Sequence, residues 1–462
     1  MMPVKEDSTN GKSSRSLADQ IYGYLAEDED ARVCLDIPDS ACDEQPRAFT
    51  LQLVAQTLTK VGDALASARL VLAWMLASLA APAIFIALLV PLRESLALVP
   101  QLFIAQVIRQ RPIRKSLWVM GSIGQGLALS AMLPVVLLLE GFNAGLAIIL
   151  LLSVFSLSRG VCSVAAKDVL GKTISKTRRG RLTGYAAAAA GLVTLLVATA
   201  LLLGPLIEET IGPSAGHADT GYLEARLLFV ILLGSAALLW FAAAVVYGRI
   251  PEVPGAVEGG GNAITEAFRS LSIIKTDAGF RQFVIARALL VSIAFSIPYL
   301  VVMIQKAGSG DVTNLGALLL ADGAAGLISG RFWGRWSDSQ SHRVMAVAAA
   351  LGVGAMLAAL LLDRFIESAL GHIVVAGSIL FVAAVSHQGA RVARKTYLVD
   401  MATTQNRARY TAVSNTVIGL FLFSGAGLGL IDAYFGTSAV LWLLVVTGML
   451  AVFHSLSLKS VT

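Results

Sequence analysis

The sequence predicts an all-α polytopic membrane protein: twelve transmembrane helices arranged as two pseudo-symmetric six-helix bundles. Three observations predict it. The 462 residues are 56% hydrophobic and 14% charged, with a mean hydropathy of +0.74, too apolar for a soluble chain of this size. Apolar stretches of about 20 residues, the length a helix needs to cross hydrocarbon, recur along the chain. A shift of 228 positions then lays the first half on the second. Gln110-Arg111-Pro112-Ile113-Arg114-Lys115 falls on Asp338 to Arg343, Gly124 and Gly126 on Gly352 and Gly354, and Lys167 on Lys395. Arg179 to Gly184 falls on Arg407 to Ala412, and the acid Glu94 on the acid Asp322. One offset that holds from helix to loop to helix marks duplication of a whole half.

In chain order, residues 1–47 are polar and read as a disordered acidic cytoplasmic tail, the alternative being a docking or regulatory segment. The first 48 residues hold five basic and eleven acidic side chains, which leaves the remainder strongly basic. Cys34 and Cys42 in this tail match no zinc pattern and read as free thiols. Residues 48–248 form the first bundle, with spans at 49–75, 82–108, 114–138, 144–168, 182–205 and 224–247. Residues 249–280, containing Gly259-Gly260-Gly261, are a cytoplasmic linker. Residues 281–458 form the second bundle, with spans at 281–304, 313–335, 343–362, 371–393, 410–431 and 437–457.

The basic residues fall in alternate loops. One set holds Arg109, Arg111, Arg114 and Lys115, then Lys172 to Arg181, Arg249 to Lys275, Arg331 to Arg343 and Arg394 to Arg409. The other loops hold little beyond Lys306 and Arg364. The positive-inside rule makes the first set cytoplasmic and, with an even number of spans, both termini too. The membrane expected is a bacterial inner (plasma) membrane and the state a monomer. Basic residues in short loops between apolar spans need no nucleic-acid partner, and no phosphate-binding glycine loop points to a built-in ATPase.

A parallel duplication of six spans joined by a cytoplasmic linker resembles the major facilitator superfamily. That family's loop between the second and third helix of each half reads Gly-x-x-x-Asp-Arg-x-Gly-Arg-Arg or Lys. Gly334, Asp338 and Arg343 fit it, with Ser341 and His342 departing; in the first half Arg111, Arg114 and Lys115 fit, while Gln110 stands at the aspartate. The resemblance covers about residues 49–457. It implies two bundles rocking about a central cavity, with the two loops latching the cytoplasmic side shut while the cavity faces outward. A carboxylate there would accept hydrogen bonds from a helix N-terminus or an arginine. Gln110 carries no charge, so the first latch is expected to be the weaker, or its work to have moved to Asp338.

Charges inside the bilayer carry the functional signal, because one at a helix centre costs about 2.5–3.5 kcal/mol even on insertion scales. Spans three, six, nine and twelve are almost free of them, and the resemblance implies that these face lipid. Glu94 and Asp322 are the leading proton or substrate candidates, a pseudo-symmetric pair of carboxylates. Arg93 cannot face Glu94, since consecutive helix residues point about 100° apart, so partners must come from other spans such as Lys60, Arg69 or Arg159. Lys60 and Asp63 lie on one face of the first span, either as a cavity wall or as an ion pair with each other. Arg159 resembles an arginine of proton-coupled exporters of the family, His387 occupies its equivalent position in the second half, and Arg287 either pairs with a carboxylate or holds an anion.

The function expected is secondary active transport of a small-molecule substrate by alternating access, coupled to H+ and directed outward. It is not an enzyme, and it needs no cofactor or metal. The alternatives are uptake of an anionic metabolite and a non-transporting sensor or assembly protein on a transporter fold.

Overall fold

The computed structural model describes residues 21–22, 37–98, 111–211, 221–255, 271–308, 312–402 and 407–461. Every element among them is helical. Short turns of helix aside, those of the first half are α1 (Gln45–Leu65), α2 (Val71–Ser78), α3 (Ala83–Leu98), α4 (Lys115–Leu138), α5 (Gly141–Thr173), α6 (Lys176–Ile211) and α7 (Gly221–Gly248). The second half holds α8 (Ala278–Leu289), α9 (Val291–Ala307), α10 (Val312–Phe365), α11 (Ile373–Met401), α12 (Arg407–Leu422), α13 (Ala426–Phe435) and α14 (Thr437–Ser457). Nine helical segments among the described residues are long and apolar enough to cross a membrane. The expected first span is divided into α1 and α2, and the described part of the second ends at Leu98. The eighth and ninth run together as α10, where Gln340 leaves helical geometry (φ −149, ψ 54) and makes the corner. The chain is a multi-pass membrane protein.

The interruption between α1 and α2 is held by a tertiary contact. The chain between α1 and α2, Ala66-Ser67-Ala68-Arg69-Leu70, contains neither residue. The Ala66 carbonyl, left without its intrahelical donor, instead accepts a hydrogen bond of 3.0 Å from Arg93 Nη1 on α3. The tight turns into α5 and α14 do need glycine: Gly141 at φ 56 and Gly436 at φ 83 lie in a region that a Cβ makes costly.

Packing differs at the two ends of the bundle. Away from the basic loops, one core is shared by both halves, with Trp74 and Met75 of α2 and Tyr299 and Leu300 of α9 all fully or nearly fully buried in it. Gln305 of α9 donates across it to Ser78 Oγ (2.8 Å) and to the Trp74 carbonyl (3.3 Å). A Cβ at Gly429 would stand 2.7 Å from the Ile84 Cα, so α13 and α3 approach as closely as small residues allow. At the basic end the cores are separate, one around Phe49, Trp118 and Tyr247, the other around Phe283, Trp333 and Tyr397. Gly180, Gly184, Gly330 and Gly334, near the basic ends of α6 and of the first part of α10, have open space where a Cβ would sit. Among the described residues the halves are therefore joined at one end and splayed at the other. Met120, Leu127, Ile231, Leu238, Val446 and Phe453 are exposed on α4, α7 and α14, as expected of a face turned to lipid.

Two observations bear on the tail. Tyr22 is buried, accepting a 2.6 Å hydrogen bond from Gln45 Nε2, edge-on to Phe49 and beneath the Arg178 guanidinium at 4.8 Å. Tyr22 is thus packed against the first half, and residues 1–20 and 23–36 of the expected tail lie outside the described ones. Cys42 is disulfide-bonded, which corrects the free-thiol reading.

Asp277 caps α8. Its carboxylate accepts from the Tyr410 hydroxyl (2.5 Å) and from the Phe280 N–H (2.9 Å). The Tyr410 bond first, then the Phe280 amide, hold the carboxyl below its usual range. A depressed folded-state value adds stability above the unfolded value near 4 and loses it as pH falls through the folded one. Asp277→Ala is expected to lower stability by about 1 kcal/mol at neutral pH, with the deficit disappearing in acid. Thermal unfolding of the two proteins across pH reads both effects, and a constant difference would count against the cap.

Candidate functional site

The polar side chains of the membrane interior gather in the cleft between the halves. Asp63, in the last turn of α1, accepts from Arg93 Nη2 of α3 at 3.1 Å and forms an ion pair with Arg159 of α5. Arg93 also lies over the Phe155 ring, 5.5 Å from its centroid. The alternative pairing of Lys60 with Asp63 is not formed, because the two arginines occupy the carboxylate. Lys60, one turn back, is exposed.

Glu94 and Asp322 occupy equivalent helices but different environments. Asp322 on α10 pairs with Arg69 Nη2, in the break between α1 and α2, at 3.3 Å. This ion pair ties one half to the other. Glu94 is exposed and makes no ion pair or hydrogen bond among the described residues. Arg159 of its own half and Arg287, Arg391 and Arg394 of the other lie within its electrostatic reach. Exposed charges within reach of one another across the two halves line a solvent-accessible space.

α11 supplies the far wall. His387, Arg391 and Arg394, spaced four and three, share one helical face, with Lys395 a turn beyond Arg391. Arg391 and Lys395 are exposed, and His387 and Arg394 are partly so. Lys395 and Lys167, equivalent positions of the duplication, lie within electrostatic reach of each other. Arg287 of α8 is buried and pairs with no carboxylate among the described residues. It donates to Ser414 Oγ (2.6 Å) and Asn415 Oδ1 (2.9 Å), and its Nε has no partner.

The first basic loop is tied down by an acid that the sequence reading missed. Glu252, from the Pro-Glu-Val-Pro stretch after α7, has a fully buried side chain. Its oxygens accept from the N–H groups of Arg114 (2.9 and 3.0 Å) and Lys115 (2.7 Å), at the N-terminus of α4, and from Lys172 Nζ (2.5 Å). A carboxylate there answers both the orphan N–H groups and the helix dipole. Asp168 of α5 joins the network through Arg114 and through Lys172 at 3.3 Å, and Lys115 Nζ reaches the Ile250 carbonyl at 2.7 Å. Arg111 contributes its carbonyl, which accepts from Arg114 Nε at 3.1 Å. Gln110 lies outside the described residues. In the second loop Asp338 is exposed and without a partner among the described residues, Arg343 reaches only Gln340 (3.2 Å), and Gly334 has no close neighbour. The only sequence signal for Glu252 was an acid between two prolines in a linker.

No family model matches the chain, and no curated protein sequence matches it. Solved structures do. The nucleoside transporter NupG is 10% identical with a TM-score of 0.62, the match covering 89% of this chain and 100% of that one. A D-xylose-proton symporter is 14% identical with a TM-score of 0.62, over 89% and 97%. A POT family transporter in complex with a thioalcohol-conjugated peptide is 9% identical with a TM-score of 0.65, over 89% and 95%. The chain shares the fold of these transporters, the major facilitator fold.

Proposed function

We propose that this protein is a secondary active transporter that carries a small solute through the membrane by alternating access, with the proton as coupling ion and the basic face cytoplasmic. The observation that carries the proposal is the unequal joining of the halves: one shared core at one end, two separate cores at the other, and ionised side chains in the cleft between. A cleft closed at one end and open at the other is one of the two states such a carrier needs. The shared fold with proteins named as transporters supports it. Export is the direction favoured, on the resemblance of the Arg159 position and the basic Arg179 to Gly184 stretch at the start of α6 to exporters of the family. Asp338, without a partner here, is the acid of the second latch, which engages when the basic face closes.

Coupling is assigned to Asp322. Its pair with Arg69 spans the moving boundary, and a proton on Asp322 would cancel the attraction that holds it. In proteoliposomes, Asp322→Asn is expected to retain solute exchange while losing accumulation driven by a pH gradient, with Glu94→Gln run alongside. Full proton-driven accumulation by both variants would overturn the assignment.

A further inference from the structure

We propose that the cleft takes a small anion bearing more than one negative charge, a dicarboxylate or a phosphoryl compound, gripped by Arg391 and Arg394 of α11 with Lys60 of α1 opposite. This names the substrate class of the transporter proposed above and rests on that reading.

The acids of the cleft are mostly occupied. Asp63 is held by Arg93 and Arg159, and Asp322 by Arg69. Among the described residues Glu94 is the acid that remains, and it is set against cations from both halves. Arg391, from the other half, lies within electrostatic reach of the exposed Lys60. Lys395 has Arg391, Arg394, Lys167 and Arg287 as its charge neighbours, all cations. Like charges brought together inside a bilayer repel strongly unless water or an anion lies between them.

Arg287 adds a separate sign of the same surplus. It is only 8% exposed, its donors are met by two neutral acceptors, and one nitrogen is left over. A cationic solute would enter against this field and a neutral one would leave it unbalanced, whereas an anion relieves it. The charge excess is larger than one carboxylate can balance, which favours a dianion over a monoanion. Arginine heads present the planar fork that matches carboxylate and phosphate oxygens. Glu94 then acts as the resident counter-ion, and a bound anion has to compete with it for Arg391 and Arg394.

The test uses the full-length protein in detergent, with thermal unfolding followed against succinate, inorganic phosphate, glucose and choline at constant ionic strength. Succinate or phosphate is expected to raise the midpoint of wild type, and glucose and choline to leave it in place. A response to one dianion alone tells carboxylate from phosphoryl recognition. Arg391→Gln or Arg394→Gln is expected to weaken anion affinity about ten- to a hundredfold, Arg391→Lys by less, and Glu94→Gln to strengthen it. The inference fails if neither dianion shifts wild type, or if the arginine variants respond as wild type does. Counterflow in proteoliposomes separates the two proposals. Movement of glucose or choline with no dianion binding ends the anion inference and leaves the transporter standing. Dianion binding at Arg391 with no movement of any probe does the reverse.

Discussion

Replacing Asp63 by asparagine is expected to be the most damaging single change in the cleft, lowering stability by about 3 kcal/mol, the lower end for a buried ion pair that loses one partner. The carboxylate stands between two guanidinium groups, and its amide replacement keeps the shape but not the charge. Arg93 and Arg159 would then face one another uncompensated, at side-chain exposures of 13% and 34%, wet enough to hold the loss below the extreme of a dry site. Arg93 would also have less reason to stay on the Ala66 carbonyl, so the break between α1 and α2 should loosen with it. Thermal unfolding in detergent measures the first effect. The double variant Asp63→Asn with Arg159→Gln is expected to recover about half of the loss, since one stranded cation is removed. A single variant as stable as wild type would show that the triad does not hold the wall.

Glu252→Gln carries the second large effect. The carboxylate it removes is fully buried and accepts from two N–H groups and an ammonium. An amide in its place can accept through one atom only, leaving Lys172 opposite an NH2 group. The expected loss is about 2–3 kcal/mol, the range for charged hydrogen bonds that lose a partner. Asp338→Asn, at an exposed carboxylate without partners in this state, is expected to leave stability within about 0.5 kcal/mol of wild type. Unfolding midpoints of the two variants, measured side by side, check this: equal losses would mean that the two loops are engaged alike.

Much of the fold was legible because membrane helices must be long and apolar. The expected spans at 114–138 and 437–457 compare with helices at Lys115–Leu138 and Thr437–Ser457. Breaks set by distant contacts were not legible: nothing in Ala66 to Leu70 announces an interruption that Arg93 stabilises from another helix. The cleft was legible in its residue types and illegible in its pairings. The duplication placed Glu94 and Asp322 in equivalent positions, but a copied position does not copy its neighbours, and only Asp322 meets an arginine. Arg394 and Lys395 read as loop residues because basic loops dominate that signal, whereas α11 continues to Met401 and carries them on its last turns. Glu252 was hidden for the opposite reason, since a linker residue has no periodicity to betray burial.

The splayed end has an electrical consequence. Where water enters the splayed end, it would carry the potential of the basic compartment towards the floor of the cleft, and a voltage across the membrane would then fall mainly over the shared core between Trp74 and Tyr299. That plug is a thin dielectric, with the Gln305 to Ser78 hydrogen bond as a polar link across it. At about 2.3 kcal/mol per elementary charge per 100 mV, a charge crossing the plug does nearly all of its electrical work there and little while resting among the arginines. A protein in this state would concentrate the membrane field on a few layers of apolar side chains.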